Sequence, residues 1–439
     1  MAASRQSSAP AAARTKAGRA PSVERVRGTR DILADDMRRH RAVEEAAWAT
    51  ARRYGFAEIA TPVFEFTEVF ARTLGETSDI VTKEMYTFDD RSGDSVTLRP
   101  EFTAGVARAF ISNGLRQQVP LKFFCRGPMF RYERPQKGRL RQFHQVDVEI
   151  LGVAEPLADV EVIALGADFL AGLDLADKVK LELNTLGDAE SRKAYRTKLL
   201  AYFADHRGKL SGDSLNRMES NPLRILDSKD EGDREIVARA PRITDGLNDA
   251  SKRYFDALLD GLHVAGVAYE INPRLVRGLD YYCHAAFEFT THELGAQGTV
   301  LAGGRYDGLI EMMGGTPTPG TGWAAGVERL AMLIAEPEPG VGPIAVVPVG
   351  AALEGPVLEL AQRLRRAGFT VDMGYSGNLA KRMRRADRIG AAAAVIIGED
   401  EIDRDAATVR DMASGEQREI ALASLEHHLE RYRGKADGR

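Results

Sequence analysis

Three stretches of the sequence hold residue types that could do chemistry on an anion. The first is residues 121–141, where Lys122, Arg126, Arg131, Arg134, Lys137, Arg139 and Arg141 stand against a single acid, Glu133. Pro135 and Gly138 mark a loop between strand-like runs, so the stretch reads as a β-hairpin with a long basic tip. Guanidinium groups offer a planar fork of donors to phosphate oxygens, and such a tip suits a phosphate-bearing ligand; the bland alternative is a solvated charged hairpin. The second is glycine beside arginine, in Ala302-Gly303-Gly304-Arg305-Tyr306-Asp307-Gly308 and again from Gly320 to Arg329. Glycine lets backbone approach a ligand closely, but the spacing matches neither a P-loop nor a dinucleotide fingerprint. A nucleotide here would be held by side chains on a sheet. The third, Arg277-Gly278-Leu279-Asp280-Tyr281-Tyr282, places a cation, an acid and two phenols on one strand-like run. Among the histidines, His144 falls inside the second strand of the basic hairpin, where it either lines a site or serves as a structural hydrogen bonder.

These segments need a scaffold, and the hydrophobic pattern supplies one. A helix is expected from Asp36 to Arg53, then a strand from Phe56 to Thr61 stopped by Pro62. Further strands are expected at Glu84–Phe88, Ser95–Leu98, Leu121–Cys125, Phe143–Ile150 and Lys178–Leu183. Short sequential strands with few helices between them predict an antiparallel sheet of the α+β class. Residues 186–264 are polar and helical in pattern and read as an insertion. Strand and glycine signals resume from Val267. Residues 336–342, opening Glu336-Pro337-Glu338-Pro339, form a linker by composition. Beyond them strand and helix alternate, which predicts a small βαβαβ domain over 343–439. The organisation is thus a tail (1–22), a catalytic core in two parts (23–185 and 265–335), an insertion (186–264), a linker and a C-terminal domain.

Composition narrows the class. The chain has 439 residues, a formal net charge of −4, 44% hydrophobic residues and two cysteines, Cys125 and Cys283. That excludes a mainly disordered chain, a disulfide scaffold and a cysteine zinc site, and fits a reducing, cytoplasmic compartment. No apolar run is long enough to span a bilayer. Residues 1–22 carry four basic residues and no acid. They read as a disordered basic tail, with an organelle transit peptide as the alternative.

Taken together, the segments resemble the class II aminoacyl-tRNA synthetases, and specifically the histidyl-tRNA synthetase family. Tyr54-Gly55-Phe56 through Thr61-Pro62 resembles motif 1, Phe130-Arg131-Tyr132-Glu133 and the loop to Gln145 motif 2, and Gly322 to Arg329 motif 3. Leu275 to Tyr282 and Ala302 to Leu309 resemble the two signatures particular to the histidine enzymes, and Arg99-Pro100-Glu101-Phe102-Thr103 also fits. The match runs from about Arg27 into the C-terminal domain. Three departures stand out: Phe102 for a frequent glycine, Trp323 for a phenylalanine, and Cys283-His284 after the tyrosine pair.

The resemblance implies a class II catalytic sheet with flanking helices, a helical insertion and a C-terminal α/β anticodon-binding domain. It implies ATP as substrate with Mg2+, L-histidine and tRNA(His) as the other partners, and a homodimer. Histidine carboxylate attacks the α-phosphorus of ATP, and the 3′ end of tRNA then takes the histidyl group. By carry-over, Arg131, Arg277 and Arg329 are the catalytic residues, with Glu133 and Phe143 completing the ATP site alongside Arg131 and Arg329. Histidine falls to Glu101, Thr103, Arg131, Gln145, Glu149, Arg277, Tyr281 and Tyr282, and no metal ligand is implied in the protein. Two rival readings remain: a synthetase for another amino acid, and the regulatory subunit of ATP phosphoribosyltransferase, which shares this core but has eroded arginines.

Overall fold

The structure is a computed structural model describing residues 23–74, 80–136, 138–276, 281–295, 298–350 and 353–433. The basic tail and Arg277 to Asp280 therefore lie outside the described residues, as does Lys137 of the hairpin tip. The chain divides into two compact units, Met1–Ala335 and Glu336–Arg439. No helix among the described residues is long and apolar enough to cross a membrane.

The first unit is built on an eight-stranded sheet. In spatial order its strands are Ala57–Glu58, Leu121–Phe130, Gln142–Leu151, Gly320–Gly326, Thr299–Arg305, Cys283–Thr290, Lys180–Thr185 and Glu270–Ile271. Pairing is antiparallel except at the edges, where Ala57–Glu58 and Glu270–Ile271 each run parallel to their neighbour. The two hairpin strands are longer than the sequence runs that suggest them. A continuous ladder from Leu121↔Leu151 to Phe130↔Gln142 carries the first strand through Gly127-Pro128, where local propensity says stop. The expected strand Phe56–Thr61 shrinks to Ala57–Glu58, which pairs with Phe123 and Phe124.

Side-chain alternation splits the sheet into two faces. On one, Val146, Val148 and Ile150 join the main core with Val43, Ala47 and Ala51 of the Ala34–Arg53 helix and with Val162, Ile163 and Phe169 of the Pro156–Ala171 helix. The Ala34–Arg53 helix carries Asp35 and Asp36 in its first turn and Arg52 and Arg53 in its last, which suits its dipole. On the other face a second core gathers Phe70, Leu74, Val106 and Phe110 against Cys125, Met129 and Tyr306. A three-stranded antiparallel sheet, Phe64–Phe66, Ser95–Leu98 and Tyr86–Asp89 with Ser95–Leu98 in the middle, accompanies it.

The helices Ala189–Asp205, Gly212–Ser220 and Glu231–Val237 have a separate small core around Tyr195, Leu199, Phe203 and Ile225. The Asp249–Val264 helix behaves differently. Its Phe255, Leu258 and Leu262 pack into the main core of the sheet. Polar residues on the outer side gave it the same sequence signature as the rest of the insertion.

The second unit carries a five-stranded sheet in the order Val371–Met373, Ile344–Pro348, Ala393–Ile397, Ala406–Asp411, Gln417–Ala421. The first three strands pair parallel through the helices Glu354–Arg366 and Leu379–Arg388, giving the βαβαβ unit; the last two add antiparallel.

Candidate active site

The hairpin and both glycine segments meet at one cavity of about 220 Å³ in the first unit. It lies on the face opposite the Ala34–Arg53 helix. Strand Gln142–Leu151 sends Gln145, Asp147 and Glu149 to this side at alternate positions, while Val146, Val148 and Ile150 fill the core. Glycine at 322, on the neighbouring strand opposite Glu149, is required by that carboxylate: a Cβ there would sit 1.9 Å from Glu149 Oε2.

One group of lining residues is cationic. Arg131 donates through Nε to the Pro100 carbonyl at 2.9 Å, and its guanidinium lies 5.2 Å from the centre of the Phe143 ring. Arg139 pairs with Glu133 at 2.8 Å. Gly138, at φ +72°, turns the tip back so that Gln136 and Arg139 exchange backbone hydrogen bonds. Arg329 donates to the carbonyls of Gly138 and Thr299 at 3.4 and 2.5 Å. Burial, and then the neighbouring Arg139 and Arg131, disfavour the charge on Arg329. Three guanidiniums held together in this way call for an anion between them.

The other group is acidic and phenolic. Tyr281 and Tyr282 lie ring to ring at 4.6 Å, with Tyr306 beside Tyr281 at 5.9 Å. Glu149 is buried behind the cavity wall and accepts from the hydroxyls of Thr103, at 2.6 Å, and Tyr306. Burial pushes its carboxyl up to about 8, against two hydrogen bonds that hold it down. Glu101 accepts from the backbone N–H groups of Thr103 and Ala104 at 2.7 and 2.8 Å, so both its oxygens cap the Thr103–Ser112 helix. Arg131 bridges the groups: its charge acts on Glu101 and Asp147 on one side and on Arg329 on the other.

Glu328 also lines the cavity and is held from behind. It accepts from the His144 backbone N–H at 2.9 and 3.1 Å and lies 2.9 Å from Nδ1 of the same ring. Burial alone would raise its carboxyl; the hydrogen bonds from His144 outweigh that and keep it below the usual range. His40, His144 and Glu328 bring possible metal-ligating atoms within 4.8 Å of one another. Arg30 donates to His40 Nε2 at 3.1 Å, so that nitrogen is already engaged by a cation.

With this geometry in place, comparison with known proteins becomes decisive. The family model described as histidyl-tRNA synthetase matches residues 28–330, and that of an anticodon binding domain matches 343–432. The chain belongs to the histidyl-tRNA synthetase family. Relatives named histidine–tRNA ligase include those of Rhodospirillum rubrum, 63% identical over 93% of this chain and 98% of its own length, and of Gluconacetobacter diazotrophicus, 55% identical with the same coverage. The crystal structure of apo S. aureus histidyl-tRNA synthetase superposes with a TM-score of 0.78 at 34% identity, over 93% of this chain and 99% of that one.

Of the residues expected from sequence, Glu101, Thr103, Arg131, Glu133, Phe143, Gln145, Tyr281, Tyr282 and Arg329 line the cavity. Glu149 reaches it through Thr103 and Tyr306. Arg277 lies outside the described residues. The departures from the family pattern are absorbed by packing. Phe102 is buried with the Arg99 guanidinium 4.4 Å from its ring centre. Trp323 stacks on Phe169 at 5.9 Å and donates to the Val162 carbonyl at 2.8 Å. His284 stacks on Tyr254 at 4.2 Å. Arg305 of the second signature faces away from the cavity: it is fully buried and pairs with Asp159 and Asp307, both at 3.0 Å. Tyr306, Arg139, Glu328 and Asp147 also line the cavity; the sequence placed Arg139 in the basic tip and Tyr306 in a glycine segment without giving either a role, and Glu328 and Asp147 were missed. For Asp147 the signal was present, two residues from both Gln145 and Glu149 on one strand face.

Proposed function

We propose that this chain is a histidine–tRNA ligase: it activates L-histidine with ATP to histidyl-adenylate and pyrophosphate, then transfers histidine to the 3′ end of tRNA(His). The observation that carries the reading is the single cavity in which three arginines on one side adjoin a phenol and carboxylate group on the other, with Arg131 between them.

Activation needs no general base, because the nucleophile is already a carboxylate. The obstacle is bringing that anion to the triphosphate and stabilising charge on the α-phosphate, a task for positioning and fixed positive charge. Arg131 is placed to hold the histidine carboxylate and α-phosphate together. Arg329 takes the γ-phosphate. Arg277 is assigned to the α-phosphate from the far side. Phe143 offers a face to adenine and Glu133 reads its amino group. Glu149 and Tyr282 pair with the imidazole nitrogens, with Tyr281 adjacent, while Glu101, Thr103 and Gln145 form the ammonium end. A site built on such pairs rejects isosteres that leave them unmatched.

Mg2+ enters with ATP as part of the substrate. Glu133 and Glu328 are already held by Arg139 and His144, and nothing in the scheme above is routed through the ion. We assign residues 23–185 and 265–335, together with the Asp249–Val264 helix, to the catalytic core, 186–248 to the insertion and 343–439 to the anticodon reader. In that last unit, Arg382 is buried against the Pro348 carbonyl and Arg385 pairs with Asp372 at 2.7 Å. That leaves Lys381, Arg384 and Arg388 exposed for phosphate. The exposed Phe64, Phe66 and Phe88 of the small sheet support a homodimer, and the two unpaired cysteines a cytoplasmic setting.

The test is pyrophosphate exchange into ATP with each amino acid in turn. Exchange with histidine alone is expected; exchange with none would move the chain to a regulatory role.

A further inference from the structure

Tyr281 and Tyr282 line the cavity but precede the strand that follows them. That strand, Cys283–Thr290, makes its first pairs at Cys283 with Arg305 and at Ala285 with Thr185, so its ladder begins after the tyrosines. The Tyr282 ring is seated against glycine at 304, where a Cβ would come within 2.8 Å of it. Its backbone is held from a different element. Arg192, half-buried in the first turn of the Ala189–Asp205 helix, donates from its guanidinium to the Tyr282 carbonyl. That helix belongs to the insertion, which has a core of its own.

The start of the helix is itself fixed to the core. Asp188 caps it, accepting from the Ser191 backbone N–H at 2.8 Å, and accepts from the Asn248 side chain at 2.7 Å. Asn248 is the N-cap of the Asp249–Val264 helix, whose Phe255 and Leu258 pack in the main core. Just before the cap, the Leu186 N–H donates to the His284 carbonyl at 2.6 Å and the His284 N–H to the Gly187 carbonyl at 2.9 Å. The other end of the signature segment is tied as well: Asn184 donates to the Leu275 carbonyl at 2.8 Å. Val276, next to it, packs against both the Phe70 and Tyr306 core and the Tyr195 core of the insertion. The segment that carries the tyrosines thus lies along the seam between catalytic core and insertion.

We infer that Arg192 is a positioning residue for histidine: it holds the backbone of Tyr282, and with it the adjoining Tyr281 ring, and so couples the insertion to the histidine end of the cavity. The inference rests on the reading of that end as the histidine site. A carbonyl that accepts from a guanidinium is held more strongly than one that accepts from a neutral donor, which suits a segment lying outside the ladder. Coupling between two elements needs a continuous chain of packed and hydrogen-bonded groups, and the Arg192–Tyr282 bond closes one. Its effect is confined to one substrate. Arg131, Phe143 and Arg329, the residues assigned to ATP, reach the cavity from the basic hairpin and from the Val327–Ala331 helix, neither of which this bond touches.

The experiment compares two variants of the full chain in pyrophosphate exchange. Arg192→Met keeps the aliphatic stem and removes the donors, while Arg192→Lys keeps a charged donor on a stem of similar length. Arg192→Met should raise the KM for histidine by about tenfold, the order of one charge-assisted hydrogen bond, with the KM for ATP unmoved. Arg192→Lys should recover most of that loss. Arg196→Ala, on the exposed side of the same helix, should change neither constant. An unchanged KM for histidine in Arg192→Met overturns the inference. An equal rise for both substrates, or loss of the folded state, overturns it too, because the contact would then be purely structural. A lysine variant no better than the methionine one would remove the hydrogen bond from the account. Wild-type protein with no histidine-dependent exchange would instead refute the reading of the cavity itself, which keeps the two failures apart.

Discussion

Glu149 has one oxygen on the Thr103 hydroxyl and the other on that of Tyr306, and it sits where water cannot solvate its charge. Its carboxyl is raised from 4.5 to about 8, burial being the main cause. Between those two values the folded protein holds a proton that the unfolded chain has lost. Stability therefore falls as pH rises from about 4.5 through about 8. Glu149→Gln should flatten that decline in the ligand-free protein, as read by denaturation midpoints from pH 5 to 8. An equally steep decline in the variant would show that Glu149 is not the group responsible. The arginines argue on the rate rather than on stability. Arg277, in the signature least shared across class II enzymes, is expected to act on the adenylation transition state. Arg277→Ala should slow single-turnover adenylation by about a hundredfold or more, and transfer from preformed adenylate much less. Near-normal adenylation would end that assignment.

At the scale of elements, the site depends on how three segments distant in sequence are locked together. The His144–Glu328 contact ties strand Gln142–Leu151 to the Val327–Ala331 helix, and the next residue along that helix is Arg329. His144→Ala should free Glu328 and misplace Arg329, raising the KM for ATP by about tenfold while the KM for histidine moves little. Because the backbone N–H of residue 144 still bonds Glu328, the loss should be partial, and Gln at 144 should restore part of it. Equal losses for both substrates would show a merely structural role. The same contact explains what the sequence could and could not reveal. The run Phe143–Ile150 reads as a strand, and the family resemblance names Gln145 and Glu149 on it. It contains nothing that pairs His144 with a residue 184 positions on. Arg305 misleads for a related reason: glycines beside an arginine suggest a ligand loop, but the buried Asp159 that claims it lies in the Pro156–Ala171 helix. That Glu101, which lines the cavity, also caps the following helix appears only once backbone N–H directions are known. Likewise, the Asp249–Val264 helix reads as insertion until tertiary packing places Phe255 in the sheet's core.

For the whole molecule, the small three-stranded sheet is the element that bears on assembly. Phe64 and Phe66 project to one face, with Phe88 paired beside them across Val96. They are 58%, 55% and 49% exposed, an apolar cluster of the kind that marks an interaction surface. The covered partner surface proposed here is the same sheet of a second copy, joined by a two-fold axis. The link to catalysis is short. Strand Ser95–Leu98 of this sheet leads directly into Arg99, which donates to the carbonyls of Thr61 and Pro128 at 2.8 and 3.0 Å, and then into Glu101 and Thr103 at the cavity. Loosening the sheet should thus loosen the histidine site. Light scattering of the full chain at micromolar concentration should give twice 48.0 kDa. The double variant Phe64→Asp, Phe66→Asp should shift it to a single mass and depress histidine activation by at least about tenfold, since like charges facing across a two-fold axis disfavour closure. A wild-type monomer with full exchange activity would refute the dimer. A monomeric variant that activates histidine normally would show instead that each active site is complete within one chain.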